Sequence, residues 1–401
     1  MQLNKKLTTT LLVATTPLIL NASSGSEFNY KQMQYTENDD RITVDYKLLD
    51  LKQEIGADYT LGISFTYDTI SGGTPVWVDT YSGASGVASS DGKINVYKQE
   101  SNGTYKNYGG YDYDTSSAKT KSNYSYENVE IDDERRALSV NLAKRTPSRD
   151  EISFGSSFSK EQDFESKEIS LGYLHNLDSS RNRSISAGIS YQENEAYHLY
   201  YNDWKDFHIV NTQIGYTHTF TKYTVGQINA FMIKQDGELS NSYQTILRYD
   251  SAGWLWRAVE QRPDEKLSSG ISASLVSKIY DNIALHTDYR FYRDDWGITS
   301  HTLGLSPNID VEDWTFSPLV RFYTQTAADF YKEHASSDNT FSETENGSSD
   351  ERLGEYHSMT YGIGATKHVT KDVSLNTLLA TQHQSNGLDM HWIAFGIGLS
   401  Y

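Results

Sequence analysis

Apolar and polar residues alternate with a period of two through almost the whole chain of 401 residues. In residues 59–68, YTLGISFTYD, large side chains occupy every second position, and small or polar ones lie between them. Residues 42–48, ITVDYKL, follow the same rule. Because side chains of a β-strand point alternately to the two faces of a sheet, this period predicts strands with one apolar and one polar face. No segment has a convincing helical period, so the prediction is an all-β protein.

The alternation recurs often enough to predict about sixteen strands. Besides the two segments above, it is found in EFNYKQMQY, RALSVNLA, EISFGSSF, KEISLGYLH, SISAGISYQ, VNTQIGYTHTF, TVGQINAFM, LSSGISASL, IALHTDYRFY, HTLGLS, WTFSPLVRFYTQ, MTYGIGAT, VSLNTLL and HWIAFGIGLSY. The count stays open by about two strands, because residues 84–126 contain a further candidate hairpin made of KINVYKQ and GTYKNY.

The connections between these strands alternate in length. Most are short and turn-like, whereas the segments at 71–125, 193–205, 235–264 and 327–354 are long, polar and rich in Asn, Ser, Asp and Gly. Short turns on one side and long loops on the other are typical of a single antiparallel outer-membrane β-barrel, with periplasmic turns and extracellular loops. ENDDR, KEQDFES and RDDWG are exceptions, since they are short yet belong to the extracellular side.

The first residues have the layout of a secretory signal peptide. Two lysines precede a mostly apolar stretch from Leu7 to Leu20, and small residues follow. We expect residues 1–25 to be a leader that is cleaved at about position 22–25, which leaves residues 26–401 as the barrel. The final strand alternates up to Tyr401 and resembles the C-terminal signal that barrel-assembly machinery recognises. Export to the outer membrane of a Gram-negative bacterium is the resulting prediction.

Composition excludes several classes of protein. No apolar run reaches the roughly 18 residues that a transmembrane helix needs. There is no cysteine, so neither a disulfide framework nor a lipid-anchored N-terminus is possible. Net charge is −18, and removal of Lys5 and Lys6 with the leader makes it about −20. Nucleic acid is therefore not an expected partner, because its binding depends on basic patches.

Acidic clusters raise the question of a metal cofactor. Asp and Glu lie together at positions 39–40, 132–134 and 294–295, and carboxylates suit Ca²⁺. None of these clusters has the spaced ligands of a calcium loop, and pairing with the arginine that follows or precedes each cluster is the simpler interpretation. We predict no cofactor, and Ca²⁺ in an acidic loop stays open as the alternative.

Glycines fall in one phase, opposite the large apolar residues of their strands. Since lipid favours bulky apolar side chains, this phase is expected to face the interior. Small residues there allow wall curvature or the close approach of another segment. The residues concerned are Gly62, Gly155, Gly172, Gly188, Gly215, Gly270, Gly304, Gly362, Gly364, Gly396 and Gly398.

The blocks NDDRITVDYKL, TYDTISGGTPVW, DYRFYRDDWGITSHT and SPLVRFYTQTAADFYKE resemble a family of uncharacterised Gram-negative outer-membrane β-barrel proteins. They span most of the mature chain in the expected order. The resemblance identifies as motif positions Asp40, Arg41, Asp68, Ser71, Gly72, Arg293, Asp294, Asp295, Trp296, Gly297, Gln325, Ala328, Asp329, Phe330 and Tyr331. Gly-Gly-Thr-Pro stands here where the family more often has Gly-Ala-Ser-Pro, which leaves the role of that turn open. The resemblance implies a fold and a location but no reaction.

Charged residues on the predicted inner face are the candidate functional residues. His286, Asp288 and Arg290 share the inner face of one strand, opposite Ile283, Leu285, Tyr289 and Phe291. The predicted lumen-lining residues are Asp45, Lys47, Asp68, His286, Asp288, Arg290, Arg321, Tyr323 and Gln325. Opposite charges on neighbouring strands can form ladders, and a single charge left bare would be costly. A solute-selecting constriction and a purely structural network are both consistent with this pattern.

Two functions follow from a barrel of this size. The first is a porin-like channel for small solutes, because about sixteen strands leave an aqueous interior. The second is a non-enzymatic scaffold that holds a small periplasmic or lipoprotein partner, with a link to extracytoplasmic redox functions. No stretch shows a Gly-x-Ser-x-Gly elbow or a zinc-binding helix, and we predict no enzymatic activity.

Overall fold

The computed structural model describes residues 25–79, 97–99, 105–107, 124–198 and 202–401. Sixteen antiparallel strands close into a barrel in which the first strand pairs with both the second and the last. The barrel strands are β1 (Glu27–Glu37), β2 (Ile42–Ile55), β3 (Tyr59–Asp79), β6 (Tyr124–Arg145), β7 (Glu151–Lys160), β8 (Phe164–Asn176), β9 (Arg183–His198), β10 (Asp203–Thr221), β11 (Thr224–Gly237), β14 (Glu265–Tyr280), β15 (Ile283–Asp294), β16 (Thr299–Val311), β17 (Trp314–Gln325), β19 (Tyr356–His368), β20 (Val373–Gln384) and β21 (Asp389–Ser400). The prediction of an all-β barrel of about sixteen strands is confirmed.

Five short strands lie outside the barrel wall. β4 (Tyr97–Gln99) and β5 (Tyr105–Asn107) form a two-stranded sheet. β12 (Thr245–Tyr249), β13 (Leu255–Val259) and β18 (Thr340–Ser342) form a separate three-stranded sheet. Short 3-10 turns occur at Asn38–Asp40 and Glu351–Leu353. None of the helical segments that the structure describes is long and apolar enough to cross a bilayer.

The two ends of the barrel differ in their connections. At one end, here called the turn end, neighbouring strands are joined by short turns such as 222–223 and 281–282. At the other, the loop end, β11 and β14 are joined by residues 238–264, and β17 and β19 by residues 326–355. β3 continues to Asp79 and β6 begins at Tyr124, so part of the predicted loop 71–125 is strand. The predicted leader, apart from Gly25, and most of that loop lie outside the described residues.

Residues 238–264 and 326–355, the two mouth loops, lie against the inner wall at the loop end. They are joined to each other because β12 from the first pairs with β18 from the second. Leu247 and Leu255 pack on Trp77 and Tyr124 of the β3–β6 hairpin. Hydrogen bonds from Thr245 Oγ1 to the Trp77 carbonyl, at 2.9 Å, and from Tyr124 Oη to the Leu255 carbonyl, at 3.2 Å, fix this contact.

Apolar side chains of the wall point away from these loops. Leu138, Val140 and Leu142 of β6 alternate on the outer face and are half exposed. The predicted glycines lie on the opposite, inner face, as their pairing shows: Gly155 lies opposite Ser170, and Gly304 opposite Asp288. A barrel with an apolar outer band is the arrangement that a lipid bilayer stabilises.

Candidate functional site: the lumen wall and the mouth loops

Two of the predicted lumen residues, Asp45 and Lys47, face outward. Lys47 pairs with Tyr67 and lies 5.9 Å from the centre of that ring. Leu49, two positions further along the same face, is 41% exposed together with its partner Phe65. Direct partners in an antiparallel ladder share a face. The prediction for Asp45 and Lys47 is therefore wrong, and Thr43 shares their outward face.

The residues that alternate with Asp45 and Lys47 along β2 point inward, although most of them are apolar. Ile42 and Ile70 are buried against Tyr243, which belongs to the first mouth loop, and Val44 packs beside them. Tyr46 lies opposite Asp68, which faces the interior as predicted. The inner wall is apolar here because a loop covers it, and this is why the alternation was assigned the wrong way round.

Asp68 is buried, with 3% of its surface exposed. Its carboxylate accepts two hydrogen bonds from Arg135, at 2.9 Å from Nε and 2.6 Å from Nη2. Arg135 is the direct partner of Asp68 on β6. This pair is a cross-strand ion pair of the inner wall, which sequence pattern alone had not matched to a partner.

The strands β15, β16 and β17 carry most of the other predicted lumen residues. Asp288 and Arg290 are exposed on the inner face of β15, and Asp288 accepts a hydrogen bond of 2.6 Å from Ser274. His286 Nε2 lies 3.2 Å from the amide nitrogen of Asn308 on β16. Arg321 is paired opposite Gly304, which itself pairs with Asp288. The structure thus brings these charged groups to one side of the interior.

Two aromatic rings lie beside the guanidinium group of Arg290. The guanidinium carbon of Arg290 lies 4.8 Å from the centre of the Phe231 ring and 5.8 Å from that of Tyr292. Gly270 permits this arrangement, because a Cβ atom there would approach the Phe231 ring to 2.5 Å. A cation over an aromatic face is stabilised electrostatically. Phe231 could not be identified from the sequence pattern, because its inward position breaks the rule that large apolar side chains face lipid.

Burial of the inner face increases toward the loop end. Along β15, Asp288 and Arg290 are exposed, Tyr292 is half-buried and the side chain of Asp294 is fully buried. On β17, Tyr323 is half-buried and Gln325 is only 6% exposed. The interior is therefore open at the level of Asp288 and covered at the level of Gln325.

A buried ion-pair network lies within the mouth loops. Arg262 forms ion pairs with Glu260, at 2.6 Å, and with Asp350, at 2.8 Å. Asp350 forms a further ion pair with Arg352, at 2.6 Å. Glu260 further accepts hydrogen bonds from the Asn241 amide, at 2.6 Å, and from the Ser348 hydroxyl. The network joins the first mouth loop to the second, and a buried charge that lost its partner here would be strongly destabilising.

The neighbouring charges favour the ionised form of Asp350. Burial alone would raise the pKa of Asp350, but the guanidinium groups of Arg352 and Arg262 outweigh it and hold the pKa well below its usual range. A group whose pKa is lowered on folding stabilises the folded state above its unfolded pKa, and this stabilisation is lost as the pH falls through the folded pKa. Asp350 is thus ionised near neutral pH and can pair with both guanidinium groups.

The first motif segment connects this network to the barrel wall. Arg41 forms ion pairs with Glu351 of the second mouth loop, at 2.8 Å, and with Glu37 of β1, at 3.3 Å. Ile42, next to Arg41, pairs with Gly72, whose φ is +131° and at which a Cβ atom would collide with the Arg41 carbonyl oxygen. The motif positions Arg41, Ser71 and Gly72 therefore lie close together at the loop end of β2 and β3. Ser71 itself faces outward and is exposed.

The second motif segment forms the tight connection between β15 and β16. Asp294 accepts hydrogen bonds from the backbone amides of Trp296 and Ile298. It also forms an ion pair with Lys266 at 3.0 Å. Asp295 accepts from the Leu267 amide at 2.9 Å. Trp296 donates its indole N–H to the Glu265 carbonyl at 2.9 Å. These acidic residues therefore shape a turn, whereas Arg293 is exposed on the outer face.

The third motif segment docks on the second. Gly297, with a φ of +91°, has no side chain to obstruct the carboxylate of Asp329, which would lie 2.3 Å from a Cβ atom there. Phe330 meets Trp296 edge to face, with ring centres 5.1 Å apart. Tyr331 packs against Gly354, and Ala328 is buried in the same cluster. Motif residues far apart in sequence thus form one structural unit.

Gln325 connects this unit to the lumen wall. Its amide donates to the carbonyls of Arg352, at 3.0 Å, and Gly354, at 2.6 Å, while its oxygen accepts from Tyr323 at 2.7 Å. Gln325 was predicted to line the lumen, and it does face inward, but the second mouth loop covers it. Glu260, Arg262 and Asp350, which hold that loop, carried no signal in the sequence because isolated charges in a polar loop are ordinary.

Comparisons with known proteins agree with the barrel fold. CdiB from Acinetobacter baumannii is similar over 94% of this chain and 60% of its own, with 7% identity and a TM-score of 0.50. The outer membrane protein OpdK from Pseudomonas aeruginosa shares 8% identity over 94% of this chain and 98% of its own, with a TM-score of 0.43. OccAB4 from Acinetobacter baumannii shares 8% identity over 95% and 99%, with a TM-score of 0.39. The chain spans about 60% of the length of CdiB, and likeness at this identity concerns the fold alone.

Sequence comparison gives a more specific result. The curated proteins include no match. The profile of one family matches residues 7–200 and again residues 194–394, which together cover most of the chain. The chain therefore belongs to the family described as "Protein of unknown function (DUF3570)".

Proposed function

We propose that this protein is an outer-membrane channel for small polar solutes, with a charged lumen wall and a mouth narrowed by two loops. The observation that carries this proposal is the exposure of Asp288 and Arg290 inside a closed barrel of sixteen strands. A barrel of that size has room for an aqueous path. Charges of both signs on the path favour solutes that are polar and compact over apolar ones.

The mouth loops suit a narrow channel. They cover the inner wall at the level of Gln325 and are held by small apolar clusters together with buried ion pairs. Below them the inner face of β15 is exposed. We infer that solutes reach Arg290 freely from the turn end and that the mouth loops limit passage at the other end.

Conductance in planar bilayers tests this function. The refolded protein is expected to give discrete conductance steps, and Arg290→Ala is expected to shift the reversal potential in a salt gradient toward cation selectivity, since it removes a positive charge from the lumen. Lys47→Ala removes a positive charge from the outer face and is the matched control, for which no shift is expected. Absence of conductance in every salt, or equal shifts in both variants, would contradict the proposal.

Location in the outer membrane is part of the same proposal. The exposed apolar band of the wall and the closed barrel support it. Outer-membrane fractionation and heat-modifiable migration in gels test it, because a closed barrel migrates differently before and after heating. N-terminal sequencing of the mature protein tests the predicted cleavage at about position 22–25.

The covered mouth favours a second candidate, a non-enzymatic scaffold that holds a small periplasmic or lipoprotein partner. A barrel whose loop end is covered while the inner face is exposed at Asp288 offers a partner access from the turn end. Affinity purification from native membranes is expected to recover one partner in equal molar amount if this function is correct. A stoichiometric partner together with absent conductance favours the scaffold, and conductance from the protein alone favours the channel.

A further inference from the structure

Three buried carboxylates meet at the loop end of the wall. Asp133 lies on β6, whereas Glu161 and Asp163 belong to the turn 161–163 between β7 and β8. Their exposed fractions are 3%, 9% and 6%, and one oxygen of each lies within 4.8 Å of the others. Three acidic groups in such a small buried space repel one another unless a positive charge or a proton neutralises them.

Glu161 lies near a cation that is already engaged elsewhere. The positive charge of Arg135 lowers the pKa of Glu161, but the guanidinium group of Arg135 already donates two hydrogen bonds to Asp68. Asp68 also adds its own negative charge to the surroundings of Glu161. The positive charge of Arg135 is therefore shared between Asp68 and Glu161.

The carboxylate oxygens of Asp133, Glu161 and Asp163 differ in their hydrogen-bond partners. Asp133 Oδ1 accepts from the amides of Glu134, at 2.7 Å, and Gln162, at 3.4 Å. Asp163 accepts from the hydroxyl of Tyr243. Within the described part of the chain, the buried Oε2 of Glu161 has no hydrogen-bond partner. A buried carboxylate oxygen without a partner is costly and calls for a ligand.

We propose that Asp133, Glu161 and Asp163 bind a divalent cation, Ca²⁺. Carboxylate oxygens from three positions match the hard-oxygen preference of Ca²⁺, and its tolerance for irregular coordination suits ligands from a strand and a turn. Water would complete the coordination. Mg²⁺ is the weaker competitor, because it demands near-ideal octahedral geometry and gives up its water reluctantly.

The site would join three parts of the protein. Asp133 pairs directly with Ile70 of β3, and Tyr243, which bonds to Asp163, packs on Ile70 and Ile42. A cation held here therefore stabilises the first mouth loop against the wall. This inference does not depend on the proposed channel, because binding and stability are measured on the protein alone.

Protons compete with the cation for this site. Burial, followed by the nearby Asp133, raises the pKa of Glu161 to about 8. Binding is therefore measured above that pH, in detergent free of lipopolysaccharide, which binds divalent cations itself. Tb³⁺ is a suitable first probe, since excitation of the adjacent Tyr243 sensitises its luminescence, and Ca²⁺ is then added to displace it.

We expect one Ca²⁺ per chain with a Kd of about 0.1–1 mM, the range of extracellular calcium modules. Glu161→Gln and Asp163→Asn are each expected to weaken binding by tenfold or more. Asp132→Asn is the matched control: it removes an adjacent carboxylate that is exposed on the opposite face, and it is expected to leave the Kd unchanged. Heat-modifiable migration verifies that each variant folds.

Two results would overturn the proposal. One is the absence of saturable binding to the wild-type protein, which needs no variant and would show that the three carboxylates do not form a cation site. The other is equal weakening by Asp132→Asn and Glu161→Gln, which would indicate diffuse attraction to an acidic surface. Calorimetric titration with Ca²⁺, repeated with Mg²⁺, separates a selective site from general screening.

Discussion

Two stretches of the inner wall have opposite chemistry although they share the same phase of their strands. The inner face of β2 and β3 near the loop end consists of Ile42, Val44 and Ile70, and Tyr243 covers it. The inner face of β15 carries Asp288 and Arg290, which are exposed to the interior. The difference shows that polarity follows contact with water, not the side of the wall on which a residue lies.

The comparison also separates two kinds of charge. Glu260, Arg262 and Asp350 are buried and paired, so their role is to hold the mouth loops. Asp288 and Arg290 are exposed, and an exposed pair of charges contributes little stability. Variants in the first group are expected to loosen the mouth loops, and variants in the second to change the ion selectivity of the proposed channel.

Removal of the first mouth loop is expected to have the largest effect. Residues 239–263 are replaced by a short Gly-Ser linker, which is geometrically feasible because the Gly237 amide lies 2.9 Å from the Asp264 carbonyl. The barrel should still form, since its sixteen strands pair without that loop, and single-channel conductance should rise severalfold. An unchanged conductance with normal heat-modifiable migration would show that this loop does not limit passage.

Asp350→Asn is expected to have the next largest effect. It removes the carboxylate that bonds to both Arg262 and Arg352, and breaking a buried ion pair costs about 3–5 kcal/mol. Limited proteolysis of the second mouth loop at neutral pH should be markedly faster than in the wild type.

The control for Asp350→Asn is the pH dependence of the wild type. Because folding lowers the pKa of Asp350, the wild-type loop should stay protected at neutral pH and lose protection only in strong acid, below the unfolded pKa of about 3.9. Asn carries no titrating carboxylate, so the variant should lack this acid transition. An equally strong acid transition in both proteins would assign it to other groups.

Much of the barrel follows from the alternation of side chains, because lipid outside and water inside impose it on each strand separately. The alternation rule fails at KLLDL in β2, where consecutive apolar residues lie on both faces. The local sequence does not indicate which of the two faces is covered by a loop. The decisive contact, Tyr243 on Ile42 and Ile70, joins residues about 200 positions apart.

The candidate site was predictable only in part for the same reason. His286, Asp288 and Arg290 lie on one strand, so their common face could be deduced from spacing. The contact of Asp163 with Tyr243 and that of Arg41 with Glu351 depend on how two long loops fold back, and no period in the sequence encodes this. The family motifs indicated which segments matter but not that they meet.

A conservative change at the covered wall gives a smaller effect. Ile70→Val removes one methylene from the contact with Tyr243 and is expected to cost about 0.5–1.5 kcal/mol. Hydrogen exchange of the mouth-loop amides should accelerate accordingly. Ile63→Val on the outer face of the same strand is the matched control, and its mouth-loop exchange should equal that of the wild type. Equal acceleration in both variants would mean that β3 transmits a general loss of stability.

The smallest expected effect concerns the ring beneath the lumen arginine. Phe231→Ala removes the aromatic face 4.8 Å from the Arg290 guanidinium, a contact worth about 0.5–1 kcal/mol at an exposed site. In the barrel without the first mouth loop, where the wall itself limits passage, ion selectivity should shift slightly because the arginine is held less firmly. In an Arg290→Ala background the same change should have no further effect, since the positive charge is gone. Additive shifts from the two variants would show that Phe231 acts on the pore independently of Arg290.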